Sequence, residues 1–99
     1  MYYVYLLQSQ VDRGWYIGYT ADLRRRLQEH NRGDTESIQS RRPFVLIYYE
    51  AYLNQKDATG RERFLKSGSG HRFLKKQLVN FLEREIRQAP DGWLASPVF

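Results

Sequence analysis

Three segments limit what this chain can fold into. Tyr2–Gln8, Trp15–Tyr19 and Phe44–Tyr52 are dense in tyrosine, valine, leucine and isoleucine, residue types that suit a pleated, half-buried surface. Turn chemistry at Val11-Asp12-Arg13-Gly14 separates the first two, which predicts a β-hairpin. The continuous apolar run Phe44 to Tyr49 predicts a central strand covered on both faces.

Elsewhere the pattern is helical. Thr20 is expected to cap a helix, with Asp22 in its first turn where the helix dipole favours an anion. That helix runs to about His30, and Asn31-Arg32-Gly33 supplies its stop. Asp34–Arg42 is polar and reads as a loop closed by Pro43. A second helix is expected over Gln55–Ser67, although Gly60 inside it costs about 1 kcal/mol relative to alanine. Gly68-Ser69-Gly70 breaks it. A third helix carries Phe73, Leu74, Leu78, Phe81, Leu82 and Ile86 at helical spacing. The order ββαβαα predicts an α+β fold, a small and mostly antiparallel three-stranded sheet flanked by helices. Residues 1–88 form the expected domain, and the Pro, Gly and Trp content of 89–99 indicates an irregular C-terminal tail.

Composition narrows the function classes. A chain of 99 residues supports one modest core. The absence of cysteine excludes disulfides, thiolate catalysis and cysteine-based zinc sites. MYYVYLLQSQ has neither the basic start nor the small-residue cleavage pattern of a signal peptide, and no apolar run approaches the roughly 18 residues of a membrane span. A soluble cytoplasmic protein with no membrane partner is therefore expected. The formal net charge is +5, with arginines and lysines clustered at 24–26, 41–42, 61–66 and 72–76. A compact basic domain attracts polyanions, of which nucleic acid is the most abundant.

Geometry separates the three consecutive arginines. With Leu23 at zero and a step of about 100° per residue, Leu27 falls at about +40°, Arg26 at about −60° and His30 at about −20°. These four share one face, pointing towards the sheet, whereas Arg24 and Arg25 look outward. Asp22, four residues before Arg26, is positioned to pair with it. Two readings fit: Arg26 lays its methylenes along the apolar stripe while His30 complements the helix dipole, or both belong to a site. Tyr5 and Tyr16 lie on the two hairpin strands, and a direct 5–16 pairing would put them on one sheet face beside Tyr3. Gly18, inside the second strand, marks a place where a backbone or ligand approaches closely. Glu62 borders the buried side of the second helix among Arg61, Arg63 and Lys66. It reads either as a surface ion-pair partner or as a hard-cation ligand.

Taken together these residues resemble the GIY-YIG nuclease family, over about residues 2–86. Tyr3-Val4-Tyr5 is a relaxed GIY and Tyr16-Ile17-Gly18 an intact YIG. Arg26, His30 and Glu62 follow in the order of the family's arginine, His/Tyr and metal-binding glutamate. The chain is most similar to small stand-alone, single-domain members, and is similar to the nuclease module of the repair excinuclease. The resemblance implies the GIY-YIG nuclease fold and a divalent-metal-dependent endonuclease hydrolysing phosphodiester bonds in DNA, structure-selective in repair or processing, with RNA not excluded as substrate.

It also implies roles. Glu62 would hold Mg2+ or Mn2+, which stabilises the leaving oxygen. Arg26 would neutralise the nonbridging oxygens. Tyr5 is the favoured base, its phenol brought below its ordinary pKa by nearby cations, with Tyr16 and His30 positioning water and phosphate or sharing the proton transfer. Two departures stand out: Tyr19 occupies the position where some relatives carry a lysine, and no asparagine follows Glu62 within Lys66–Leu78. Tyr19, Arg24, Ser40, Arg41 and Arg42 are candidate nucleic-acid contacts, and a targeting protein is a candidate partner. The rival expectations are a noncatalytic basic nucleic-acid-binding module on the same fold and a protein-interaction adaptor.

Overall fold

The computed structural model describes residues 1–33 and 36–88, the latter without side chains at 36–38. The expected tail at 89–99 lies outside the described residues. Strands β1 (Tyr2–Ser9) and β2 (Trp15–Thr20) form the predicted hairpin, and β3 (Phe44–Tyr52) joins on the other side of β1. The sheet is antiparallel throughout, in the order β2-β1-β3. The central strand is thus β1, not the Phe44–Tyr52 segment.

Burial shows why. Every residue from Val4 to Ser9 is buried, whereas Val45 and Tyr49 of β3 are exposed. The apolar run of β3 mixes edge exposure with an irregularity. A register shift opposite Leu6 and Leu7 lets Ile47 and Tyr48 pack into the same cluster, as a β-bulge does.

Helices cover both faces of the sheet. Helix α1 (Leu23–Arg32) lays Leu23 and Leu27 on Tyr5, Leu7 and Phe44. Asp22, not Thr20, caps it: the Asp22 Oδ1 accepts from the Arg25 N–H at 3.1 Å. Thr20 ends β2, and its hydroxyl accepts the Asp22 N–H at 3.1 Å. Gly33 closes the helix in the left-handed region, φ 79°, the backbone state glycine adopts without penalty. The expected loop before β3 contains a 3-10 helix, Glu36–Arg41.

On the opposite face, α2 (Gln55–Lys66) and α3 (Gly68–Gln77) pack Ala58, Leu65 and Leu74 against Val4, Leu6 and Ile17. The Gly68-Ser69-Gly70 run does not lie between helices but forms the first turn of α3, with Ser67 capping it. A Cβ on Gly70 would collide with the Phe64 carbonyl oxygen and Leu65 Cα, so this glycine sets how closely α3 approaches α2. The predicted third helix is two, α3 and α4 (Val79–Gln88). The Leu78 N–H still reaches the Leu74 carbonyl at 2.9 Å, so helical spacing continues through the junction and conceals it in the sequence. Helix α4 buries no residue completely and is tied to the sheet by Gln8 Nε2 donating to Glu85 Oε1 at 2.9 Å.

Candidate active site

The α1-facing side of the hairpin brings the two motif tyrosines together, though not by direct pairing. The register sets Tyr5 opposite Gly18 and Leu7 opposite Tyr16, so Tyr5 and Tyr16 are diagonal neighbours on one face. Their rings stack with centroids 6.4 Å apart. The bare position at Gly18 is filled by the Tyr5 ring itself: a Cβ on Gly18 would collide with the Tyr5 Oη and Cζ. The glycine of YIG is what lets the tyrosine of the first motif lie across β2.

Helix α1 brings His30 under both rings. His30 is fully buried, with Nε2 3.1 Å from the Tyr5 hydroxyl and its ring edge-on to Tyr16 at 4.6 Å between centroids. Phe44 closes this aromatic box, 6.2 Å from His30. Burial first, then the Arg26 charge, push the imidazole below its ordinary pKa, so His30 is neutral at pH 7. Its Nδ1 is buried with no hydrogen-bond partner among the described residues.

Arg26 turns inward as its angular position requires. Its guanidinium interacts with the Tyr5 hydroxyl, and more weakly with Tyr16, which raises its pKa further. Its ion-pair partner is Glu29, at 3.2 Å, instead of the expected Asp22, whose carboxylate is committed to capping. Arg25 shares Glu29 at 3.3 Å while remaining exposed. The Tyr5 phenol departs from expectation. Burial is the largest influence on it and outweighs the stabilising hydrogen bond from Arg26, leaving its pKa raised to about 12. In the free protein the nearby cation does not bring this phenol below its ordinary value.

Glu62 arrives from the other layer, on α2, and its charge still reaches Tyr5. Its side chain is 21% exposed and pairs with Lys66 at 3.1 Å. Among the described residues no three or more His, Asp or Glu side chains converge as a metal cage. One accessible carboxylate nevertheless fits a hard cation that takes its remaining ligands from phosphate oxygens and water, as magnesium does.

The other expected contacts scatter. Tyr19 faces the α2 side, stacked on Tyr2 at 6.2 Å, and packs against the core cluster there. Arg41 is engaged near the turn end of the sheet, with Nε 3.0 Å from Asp12 Oδ2 and its guanidinium 5.6 Å from the Phe44 ring centre. Arg42 is exposed and donates to the Gln39 carbonyl at 2.9 Å; Ser40 is exposed beside it. Arg24 is exposed at the start of α1, where it borders the cleft between that helix and the sheet and does not face away from it as expected.

One constellation is not anticipated by the motifs. Glu50 on β3 accepts from Arg61 Nε at 2.8 Å and Nη2 at 3.1 Å, from the Tyr52 hydroxyl at 2.6 Å and from the Tyr48 hydroxyl. The Arg61 guanidinium also lies 4.6 Å from the Phe73 ring centre and 5.1 Å from that of Phe64. Its signal in the sequence is the alternation Tyr48-x-Glu50-x-Tyr52, three polar-tipped residues on one strand face.

Comparison with known proteins identifies the family. The GIY-YIG catalytic domain model matches residues 1–76. A UPF0213 protein of Oceanobacillus iheyensis is 35% identical over 85 residues, covering 85% of this chain and 95% of that one. The UPF0213 protein in the ldhD 5' region of Pediococcus acidilactici is 39% identical over 77 residues, 75% of this chain and 78% of that one. Among solved structures, the NMR structure of a UPF0213 protein from Bacillus halodurans is 30% identical and covers 98% of this chain and 100% of its own, with a TM-score of 0.48. The chain therefore belongs to the GIY-YIG family, among its small UPF0213 proteins.

Proposed function

We propose that this protein is a divalent-metal-dependent endonuclease hydrolysing phosphodiester bonds in DNA. The observation that carries the proposal is the convergence of Tyr5, Tyr16, His30 and Arg26 within reach of the Glu62 charge. Phosphodiester hydrolysis needs those chemical types together: a charge clamp on the phosphoryl oxygens, a proton acceptor for water and a stabilised leaving oxygen.

Arg26 is a permanently charged planar donor, suited to the nonbridging oxygens. Glu62 would hold Mg2+ or Mn2+, which supplies Lewis acidity at the leaving oxygen. Tyr5 is protonated at neutral pH, so it serves as a relay: its oxygen takes a proton from water while its own proton passes to the neutral His30 Nε2, 3.1 Å away. Tyr16 flanks the phosphate. The chain's net charge of +5 favours a polyanion. No helix among the described residues is long and apolar enough to cross a membrane, and we assign the protein to cytoplasmic DNA repair or processing, with a targeting partner supplying site choice.

The noncatalytic nucleic-acid-binding reading draws on one observation, the Lys66 ammonium that already neutralises Glu62. A cleavage assay separates the two. Purified protein is incubated with branched, single-stranded and duplex DNA, and with RNA, in Mg2+, Mn2+ or EDTA. Cleavage is expected with metal, absent in EDTA, and reduced at least about 100-fold in Glu62→Ala and Arg26→Ala, the scale of losing one charge stabiliser. Equal cutting by the Glu62 variant, or none by the wild type, rejects the enzyme.

A further inference from the structure

Beside the tyrosine box lies a second feature that the nuclease reading does not use. Between the start of α1 and the sheet runs an open cleft of about 520 Å³, within the roughly 300–1,000 Å³ range of small-ligand sites. Leu27 and Leu46 line its depth, Tyr3 and Tyr49 one wall, Asp22 and Arg24 the other. Tyr49 is 52% exposed, and its ring meets Tyr3 edge-on at 6.0 Å. Neither phenol has a hydrogen-bond partner among the described residues. A half-exposed aromatic pair over an aliphatic floor leaves π-faces to stack on.

Three observations identify what would stack there. The cleft adjoins the site, because Tyr49 pairs directly with Tyr5 across the strands and Tyr3 precedes Tyr5 on the same face. Its outer wall carries an available cation: Arg25 and Arg26 are tied to Glu29, whereas Arg24 has no ion pair among the described residues. Its rim also carries an acceptor. Asp22 gives Oδ1 to the α1 cap and has a second carboxylate oxygen able to receive an N–H from a heterocycle's edge. An aromatic face, a cation and a carboxylate acceptor suit a nucleotide whose base is out of its pair. Tyr3 stands where the GIY motif carries its glycine, so this wall exists because this chain places an aromatic ring at that position.

We propose that the Tyr3–Tyr49 cleft receives an unpaired nucleobase next to the scissile phosphate, with Arg24 contacting the flanking phosphate. This deepens the nuclease reading and rests on it for the nature of the substrate. The base comes either from a single strand or from an unpaired position in a duplex, and the arms of the test distinguish them.

The test is equilibrium binding by fluorescence anisotropy in EDTA, where nothing is cut. The probes are a single-stranded oligonucleotide, a fully paired duplex of the same sequence and that duplex with one unpaired base. Tyr49→Ala should weaken one or both unpaired probes by about 5- to 150-fold, the span of one lost base–aromatic stack. It should leave the paired duplex and the thermal midpoint unchanged, while Tyr49→Phe binds like the wild type. Whichever unpaired probe loses more names the source of the base. Arg24→Ala should lower the single-strand salt slope by about 0.7, one phosphate contact. Unchanged affinity of Tyr49→Ala for both unpaired probes, or an equal loss on the paired duplex, overturns the proposal. Tyr49-dependent binding with no metal-dependent cleavage would instead sink the nuclease reading and leave the cleft standing. Glu62-dependent cleavage with no effect of Tyr49 would do the reverse.

Discussion

Replacing Glu50 by alanine tests how the two layers of this protein are locked together. The Glu50 carboxylate takes two hydrogen bonds from Arg61 and one each from Tyr48 and Tyr52, tying β3 to α2 one residue from Glu62. The side chains of Glu50 and Arg61 are 16% and 28% exposed, so the pair lies between a surface bridge worth about 0–1 kcal/mol and a buried pair whose breakage costs about 3–5 kcal/mol. We expect Glu50→Ala to cost about 2–3 kcal/mol, lowering Tm by roughly 10–20 °C in a domain of this size. Arg61→Ala should cost at least as much, because the guanidinium also packs on Phe64 and Phe73. In a double-mutant cycle read by thermal and urea unfolding, the two losses should be non-additive by about 1–2 kcal/mol. The pH dependence has a definite sign. Burial works against the Glu50 charge, but the hydrogen bonds from Arg61, Tyr48 and Tyr52 overcome it and hold its pKa below the ordinary 4.5. The contribution is therefore fully present above pH 4.5 and is lost as pH falls from there through the folded-state value. Glu50→Gln should remove that acid-side dependence. A Tm change of less than about 4 °C for Glu50→Ala, or strict additivity in the cycle, would refute the clamp.

Two glycine comparisons separate close packing from mere helix chemistry. Gly70→Ala places a Cβ against the Phe64 and Leu65 backbone, which cannot rotate away, and should destabilise by about 3 kcal/mol or more, the upper range of overpacking. Gly60→Ala meets nothing within 4 Å and should stabilise by about 0.5–1 kcal/mol through helix propensity; urea unfolding of the two variants checks both signs. Gly18→Ala forces the buried Tyr5 ring off β2, so it should cost about 1–3 kcal/mol and break the Tyr5–His30 hydrogen bond. A normal Tm together with unchanged His30 ring NMR shifts would contradict that placement of Tyr5.

Much of the site was legible because its signals are local. Arg26 and His30 turn inward while Arg25 stays exposed, as a step of about 100° per residue dictates. Tyr5 and Tyr16 share a face through a register the sequence leaves open, in which Tyr16 pairs with Leu7 and not with Tyr5. The cap was misplaced by two residues because Thr20 and Asp22 are both capping types, and only the chain path shows that Thr20 is still strand. The split at Leu78 was invisible because no Gly or Pro marks it and helical spacing runs across it. The central strand was misassigned because continuous apolarity reports burial averaged over two faces, not the number of neighbours a strand has.

By itself, then, the sequence determined the three strands and the helical segments, the ordered set of tyrosines, arginine, histidine and glutamate, and the inward face of α1. Each of these follows from near-neighbour periodicity or from motif spacing. Only the tertiary structure decided that β1 lies at the centre, that Gly18 is bare to admit the Tyr5 ring, and that Glu62 stands on α2, in the layer opposite α1. It also decided the state of Tyr5. A phenol beside an arginine reads as acidified, but burial within the aromatic box outweighs that charge and raises its pKa. Burial is a property of everything packed around a residue, and no stretch of neighbouring sequence contains it.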